Sequence, residues 1–290
     1  MTTYSQHLLS SIRFSHARVM SALPLLNLMS FEIGDVILQK DYSVDYWHHV
    51  IVGFVGATVP IVNGKRLPVH IYGQNEWFGE QSLLTKQASH FEYACLTPVE
   101  LISMPKNCFN AALTGESNFV HLLAELVALR AQQHGGMLTL MHLGSSPLQV
   151  VMGLAQFAES DQRKIKGSST DWLRRSLDVP ISQNQIADYC GVSRTLFSEY
   201  IQHLSRAGWL KLRYGGIELQ SVETWRLFAR RQRQQQYVAS RPTIGQLMDE
   251  MATAHAELGP YRFPNLIAGR RGNNVLSPMR KESDAIRCAA

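Results

Sequence analysis

The sequence predicts an α+β chain: an N-terminal antiparallel β jelly roll, a long dimerisation helix, and a C-terminal winged helix-turn-helix. Three features point there. Short apolar runs alternate with turn residues through the first hundred residues, the pattern of many short strands. Apolar residues then recur at spacings of three and four from Ser117 to about Leu143, one face of a long helix. Two short helical patterns next meet at a glycine between Ile181 and Leu210 and lead into a hairpin. The expected organisation is a β roll over residues 1–116, the long helix over 117–143, the winged unit over 144–222, and a basic helical extension with a disordered tail over 223–290.

The β runs are "DVILQ", "HHVIVGFVGATVPIV", "LPVHIYG", "FEYACLT" and "VELISMP". Gly34-Asp35, Asn63-Gly64, Gly73-Gln74-Asn75 and Thr97-Pro98 separate them. Asn63-Gly64 is a hairpin signal, because both residues tolerate the positive φ of a type I′ turn.

On the long helix the apolar positions are Phe119, Leu122, Leu123, Leu126, Leu129, Met137, Leu140 and Met141. An apolar face that outruns a small domain usually finds a partner, and an identical helix is the simplest one; a core helix within one chain is the other reading. Gly135-Gly136 interrupts the pattern as a hinge or a kink, each glycine costing about 1 kcal/mol relative to alanine. Leu148 to Ala158 reads as another apolar helix, and "ESDQRKIKGSSTDWLRRS" as a polar connection.

In "ISQNQIADYCGVSRTLFSEYIQHLSRAGWL", Ser182 caps a first helix over Gln183 to Tyr189. Ile186 faces inward, and Ala187 is small where a second helix crosses. Gly191 takes the positive φ of the turn. Ser193 caps a second helix running to about Ala207 and closed by Gly208. Phe197, Tyr200, Ile201 and Leu204 form its inward stripe. "WLKLRYGGIELQ" follows as a wing, a hairpin turning at Gly215-Gly216. This order of parts is that of a DNA-reading element. The expected contacts are Ser182, Gln183, Ser193, Arg194, Thr195, Ser198, Glu199 and Gln202, whose polar ends reach base edges and phosphates.

The same stretch resembles the DNA-binding signature of the Crp/Fnr family of bacterial transcription regulators. The order of β domain, long helix and winged unit matches as well, over about residues 15–222. The resemblance implies a homodimer paired through the 117–143 helix on near-palindromic double-stranded DNA, with one recognition helix in each major-groove half-site. RNA polymerase is an expected partner, and a small-molecule effector in the β domain would set the position of the DNA heads. Ser193 and Arg194 stand as in the family's Ser-Arg start, and the arginine fork suits guanine. Thr195 stands where relatives often carry glutamate, and Glu199 where many carry arginine, so a different operator is expected.

Relatives that bind a cyclic nucleotide carry a Gly-Glu pair followed by an Arg-Ser pair that holds the phosphate. Gly79 and Glu80 match the first; Ser89-His90 stands at the second, without the arginine. A buried phosphate needs a fixed cation, so an effector other than cyclic AMP is expected, with Gly79, Glu80, Ser89 and His90 as the candidate pocket. An iron–sulfur cluster needs four thiolates, and the first 143 residues hold only Cys95 and Cys108. Haem would need an axial ligand, and nothing singles out one of His48, His49, His70 or His90. Trp47, Phe54, Tyr72, Trp77, Phe91 and Tyr93 are candidates either for an aromatic pocket or for ordinary core. An effector-independent regulator whose β domain only dimerises also fits.

A cupin-like metalloenzyme with an accessory DNA-binding domain is the alternative of another class. It calls for His-x-His and a nearby glutamate, whereas His48 and His49 are adjacent and point to opposite sides of a strand. No cofactor, metal or catalytic group is therefore expected, and the chain is read as a non-enzyme. Lys and Arg number 8 against 10 Asp and Glu in residues 1–143, 9 against 7 in 144–222, and 11 against 6 in 223–290. The basic excess lies where a polyanion would bind, and Arg226, Arg230, Arg231 and Arg233 on the "VETWRLFARRQRQQQYVAS" helix are candidates either to flank the half-site or to form a solvated basic face. "TIGQLMDEMATAHAELG" reads as one more helix. The four scattered cysteines (Cys95, Cys108, Cys190 and Cys288), the lack of a signal peptide and the lack of a spanning segment predict a cytoplasmic protein with free thiols.

Overall fold

A computed structural model describes residues 2–60, 66–160, 175–234 and 241–258. The chain opens with helices α1 (Thr2–Ser11) and α2 (His16–Ala22) and a 3-10 turn over Leu23–Leu25. This corrects the expectation of β structure throughout the first hundred residues. Leu8 and Leu9 of α1, Ile12 just beyond it and Val19 of α2 bury against the outside of a sheet that would otherwise face water.

Eight strands follow. They are β1 (Asn27–Phe31), β2 (Val36–Leu38), β3 (Tyr46–Val52), β4 (Val55–Pro60), β5 (Arg66–Tyr72), β6 (Trp77–Phe78), β7 (Glu92–Cys95) and β8 (Val99–Pro105). They form two four-stranded sheets, ordered β1-β8-β3-β6 and β2-β7-β4-β5, with antiparallel pairing. The Asn63-Gly64 turn lies outside the described residues; its flanking strands pair antiparallel from Pro60↔Arg66 onward.

Alternation along β3 explains the layering. Val50 points between the sheets with Val55, Tyr72, Phe78, Tyr93 and Leu101. Trp47 points the other way, stacking on Trp77 at 3.8 Å and meeting Phe109 and Phe119 edge-on. The sequence's candidate pocket aromatics are thus core, with Trp47, Phe54, Tyr72, Trp77 and Tyr93 all buried. A short helix α3 (Glu80–Thr85) interrupts the strands, and α4 (Lys106–Gly115) and α5 (Ser117–Leu143) close the outer layer.

The α5 helix runs through Gly135-Gly136 without a break. A β-carbon at either glycine would meet nothing within 4 Å, and Thr139 Oγ1 donates to the Gly135 carbonyl at 2.9 Å. With i→i−4 bonding intact, the glycine pair weakens the helix without ending it. Next come α6 (Ser146–Ser160), β9 (Leu177–Val179), α7 (Gln183–Tyr189), α8 (Arg194–Arg206), β10 (Leu210–Arg213), β11 (Gly216–Leu219), α9 (Val222–Gln234) and α10 (Ile244–Glu257). Most of the polar connection before β9, residues 161–174, lies outside the described residues, as does the tail from 259 onward.

The apolar α6 is the axis of the C-terminal core. Val150, Val151, Leu154 and Ala155 are buried among Ile186, Phe197, Ile201, Trp225 and Phe228. Gly153 permits this packing: a β-carbon there would lie 2.5 Å from Cys190 Sγ. The same core reaches into the roll. Phe157 of α6 meets Phe54 edge-on at 5.7 Å, and Ile71 of β5 joins the cluster. Cys95, Cys108 and Cys190 are free and buried. No helix among the described residues is long and apolar enough to cross a membrane.

Candidate DNA interface and sensor pocket

The helix-turn-helix is built by caps. Ser182 and Gln185 form a reciprocal capping box at the start of α7, and Ser193 Oγ accepts from the Leu196 N–H at 3.3 Å at the start of α8. Both serine hydroxyls therefore serve the helix starts. Between them Gly191 takes φ +69, which a side chain rarely adopts. Ile186 and Ala187 seat α7, while Phe197, Ile201 and Leu204 bury one side of α8, with Tyr200 half-buried beside them.

On the other side of α8, Arg194, Thr195, Glu199 and Gln202 are exposed and Ser198 is half-buried. Arg194 Nη2 donates to Gln183 Oε1 at 2.5 Å, so the two helices share a polar contact at the outer edge of the turn. Leu196, 36% exposed, lies on this face too. An apolar side chain between polar ones can touch a thymine methyl, and its position two residues after Arg194, off the inward stripe, was the available sequence signal.

The wing turns at Tyr214-Gly215 and not at Gly215-Gly216, since Arg213 pairs with Gly216. Gly215 supplies the positive φ of +74. Gly216 is needed for a different reason: a β-carbon there would sit 2.4 Å from the Val179 carbonyl of the neighbouring strand. Arg213 bonds Glu218 across the hairpin, and Gln220, Ser176 and Arg213 together pull the Glu218 carboxyl down to about 2. Tyr214 stands fully exposed at the tip.

The arginines of α9 are mostly engaged within the chain. Arg226 donates to the Ala158 carbonyl at 2.6 Å and pairs with Glu223; Arg231 pairs with Glu257, and Arg233 with Glu159 at 2.8 Å. Three of the four cations expected to flank DNA thus fasten α9 to its neighbours, and Arg230 is left exposed. Trp225 and Phe228 on the same helix are buried, so it belongs to the head's core.

In the roll, Gly79 takes φ +95 and starts α3, placing Glu80 in the interior with 3% of its side chain exposed. One carboxylate oxygen accepts from the Trp47 indole at 3.2 Å; the other lies 3.2 Å from Arg130 Nε. Arg130 comes from α5. It also donates to Tyr72 Oη at 2.6 Å and to the Trp77 carbonyl, with its guanidinium 4.7 Å above the Tyr72 ring. Burial pushes the Tyr72 phenol up to about 12, with Arg130 pulling the other way. The rings of the buried His70 and of His134 stand 6.0 Å apart, His134 also facing Phe91. Burial lowers the His134 pKa, and His70 and Arg130 lower it further.

Ser89 Oγ donates to the Phe91 carbonyl at 2.7 Å within its own turn, and the His90 side chain is exposed. Of the four pocket candidates, then, Gly79 and Glu80 stand at the Arg130 cluster, while Ser89 is engaged locally and His90 lies on the surface. Sequence reasoning missed Arg130, although it is the sole Lys or Arg between residues 117 and 143. A lone cation in a long apolar helix signals a buried partner. His48 stacks on Phe78 and bonds Ser103 at 2.8 Å, while His49 faces Trp77 from the opposite side of β3.

Comparison with known proteins agrees with these two units. Residues 28–116 match the cyclic nucleotide-binding domain, and residues 150–224 match the Crp-like helix-turn-helix domain. Among solved structures, FixK2 from Bradyrhizobium japonicum is 15% identical, covering 69% of this chain and 95% of its own, with a TM-score of 0.56. The c-di-GMP responsive global regulator CLP of Xanthomonas campestris is 13% identical, covering 71% and 99%, with a TM-score of 0.54. A transcriptional regulator of the CRP/FNR family from Thermus thermophilus is 20% identical, covering 70% and 98%, with a TM-score of 0.51. At these identities the likeness is one of fold. Among curated proteins, no sequence matches the chain.

Proposed function

We propose a role for this chain, which belongs to the Crp/Fnr family of DNA-binding transcription regulators, as a homodimer that reads a near-palindromic operator with one α8 in each major-groove half-site. The observation that carries it is the two-sided character of α8. Phe197, Ile201 and Leu204 are buried while Arg194, Thr195, Glu199 and Gln202 project outward, on a helix capped at its start and followed by a wing. Pairing along α5 is supported by Val120 and Val127, seven residues apart on one face of the helix and 41% and 36% exposed. Bound to its operator in the cytoplasm, the dimer acts on transcription through RNA polymerase.

The test is selection of bound fragments from a random DNA pool, followed by gel shifts on the selected site. Arg194→Ala is expected to weaken operator binding by about 1–3 kcal/mol and to relax one base position. Unchanged affinity for the selected operator would remove Arg194 as a base reader.

The signal we assign to the roll is an effector other than cyclic AMP, because the guanidinium that enters the roll, Arg130, is engaged by Glu80, Tyr72 and Trp77. A second reading is favoured by the same cluster: with both Glu80 oxygens partnered from within the chain, the regulator works without an effector. Operator affinity measured with and without the small-molecule fraction of a cell extract separates the two. A change in affinity supports the effector; equal affinity supports independence.

A further inference from the structure

We propose that Gln183 is a positioning residue for Arg194, holding the guanidinium in the orientation that reads a base, and that it makes no independent contact with DNA. This rests on the assignment of Arg194 as a base reader. Arg194 is the first residue of α8 and lies exposed, where an unrestrained arginine samples many rotamers and loses that freedom on docking. Gln183 is the first residue of α7 and half-buried. It stands behind the Ser182–Gln185 capping box on a helix seated in the core by Ile186, Ala187 and Tyr189. The bond from Arg194 Nη2 to Gln183 Oε1 at 2.5 Å therefore ties a mobile side chain to a fixed element.

The chemistry of the acceptor matters. A guanidinium carries five N–H donors, so one bond to Gln183 leaves enough for a bidentate contact with guanine O6 and N7. An amide carbonyl orders the guanidinium without cancelling its charge. A carboxylate in its place would compete with guanine and phosphate for the same donors and repel the DNA backbone. The two residues are eleven apart in sequence, and the Gly191 turn brings them together.

A double-mutant cycle on the full chain tests this. Gln183→Ala, Arg194→Ala and the double variant are measured on the selected operator and on operators altered at each base pair. Gln183→Ala is expected to weaken operator binding by about five- to tenfold and to flatten preference at the same base pair as Arg194→Ala. Added to Arg194→Ala, it should change nothing further. Gln183→Glu should weaken binding more than Gln183→Ala does. A Gln183→Ala loss that persists in full without Arg194, or that falls equally on every sequence, overturns the proposal and makes Gln183 a DNA contact of its own. A misfolded head would give that same persistent loss with a lowered melting temperature, and equally counts against positioning. If Arg194→Ala leaves base preference intact, the base-reader assignment itself fails; if Arg194→Ala flattens it and Gln183→Ala does not, only the positioning role fails.

Discussion

Arg130 Nε and Glu80 Oε1 meet at 3.2 Å inside the β roll, joining the long helix to the short helix that follows β6. Both side chains are withdrawn from water, at 13% and 3% exposure. Removing one partner of a buried pair strands the other charge, so Arg130→Ala is expected to destabilise the fold by about 3–5 kcal/mol. Replacing both, as Glu80→Gln with Arg130→Met, should recover most of that loss. Urea midpoints of the two variants and the parent chain check this, and a double variant no better than Arg130→Ala alone would show that the charges do not act as a pair.

The two adjacent histidines of β3 make stability depend on pH. Burial pushes His48 and His49 down to about 4, for His49 against an opposing backbone hydrogen bond at Asn75. In the unfolded chain they take up protons near the usual histidine value of about 6.5. The unfolded state thus binds more protons between those limits, and stability that is complete above pH 6.5 is lost as the pH falls to about 4. The loss is on the order of 2–3 kcal/mol for each histidine. Denaturant unfolding at pH 7 and pH 5 should show it, and equal midpoints would mean that neither histidine is held neutral.

Tyr189 is buried on α7 with no hydrogen-bond partner for its hydroxyl among the described residues. Burial pushes its phenol well above the ordinary value. A hydroxyl desolvated without a partner costs about 1–3 kcal/mol. Tyr189→Phe is therefore expected to raise the melting temperature slightly, whereas a fall would reveal a bonded hydroxyl.

Gly153 tests the packing of α6 on α7. A methyl group at this position would stand 2.5 Å from Cys190 Sγ and must displace it. Gly153→Ala should cost about 1–3 kcal/mol through overpacking, despite alanine's better helix propensity. Removing the sulfur with Cys190→Ala should relieve much of that cost, and additive effects in the double variant would place the strain elsewhere.

The reading head was the most legible part of the chain, because its boundaries are written in local chemistry. Ser182, Gly191 and Ser193 specify a cap, a left-handed turn and a second cap without help from distant residues, and α7 spans the predicted Gln183–Tyr189. The wing turn was displaced by one residue, since either neighbouring glycine can take a positive φ and only the approach of the Val179 carbonyl decides between them. The opening helices were hidden because their few apolar residues gain a purpose only against Trp47 and Phe119, far along the chain. Arg130, Arg231 and Arg233 show the same limit. Their partners Glu80, Glu159 and Glu257 are distant in sequence, so charge counting saw a basic surface where the fold makes ion pairs.

The meeting of Phe157 with Phe54 and Ile71 has a consequence for how the molecule comes apart. The head and the roll do not hang on a bare tether; they share part of one apolar interior. Swinging the head away would uncover these rings, and an excised head would carry that raw face into solution. Heat should therefore melt the two units with some cooperativity, and grafting this head onto a foreign roll would need a matching aromatic socket as well as a matching joint.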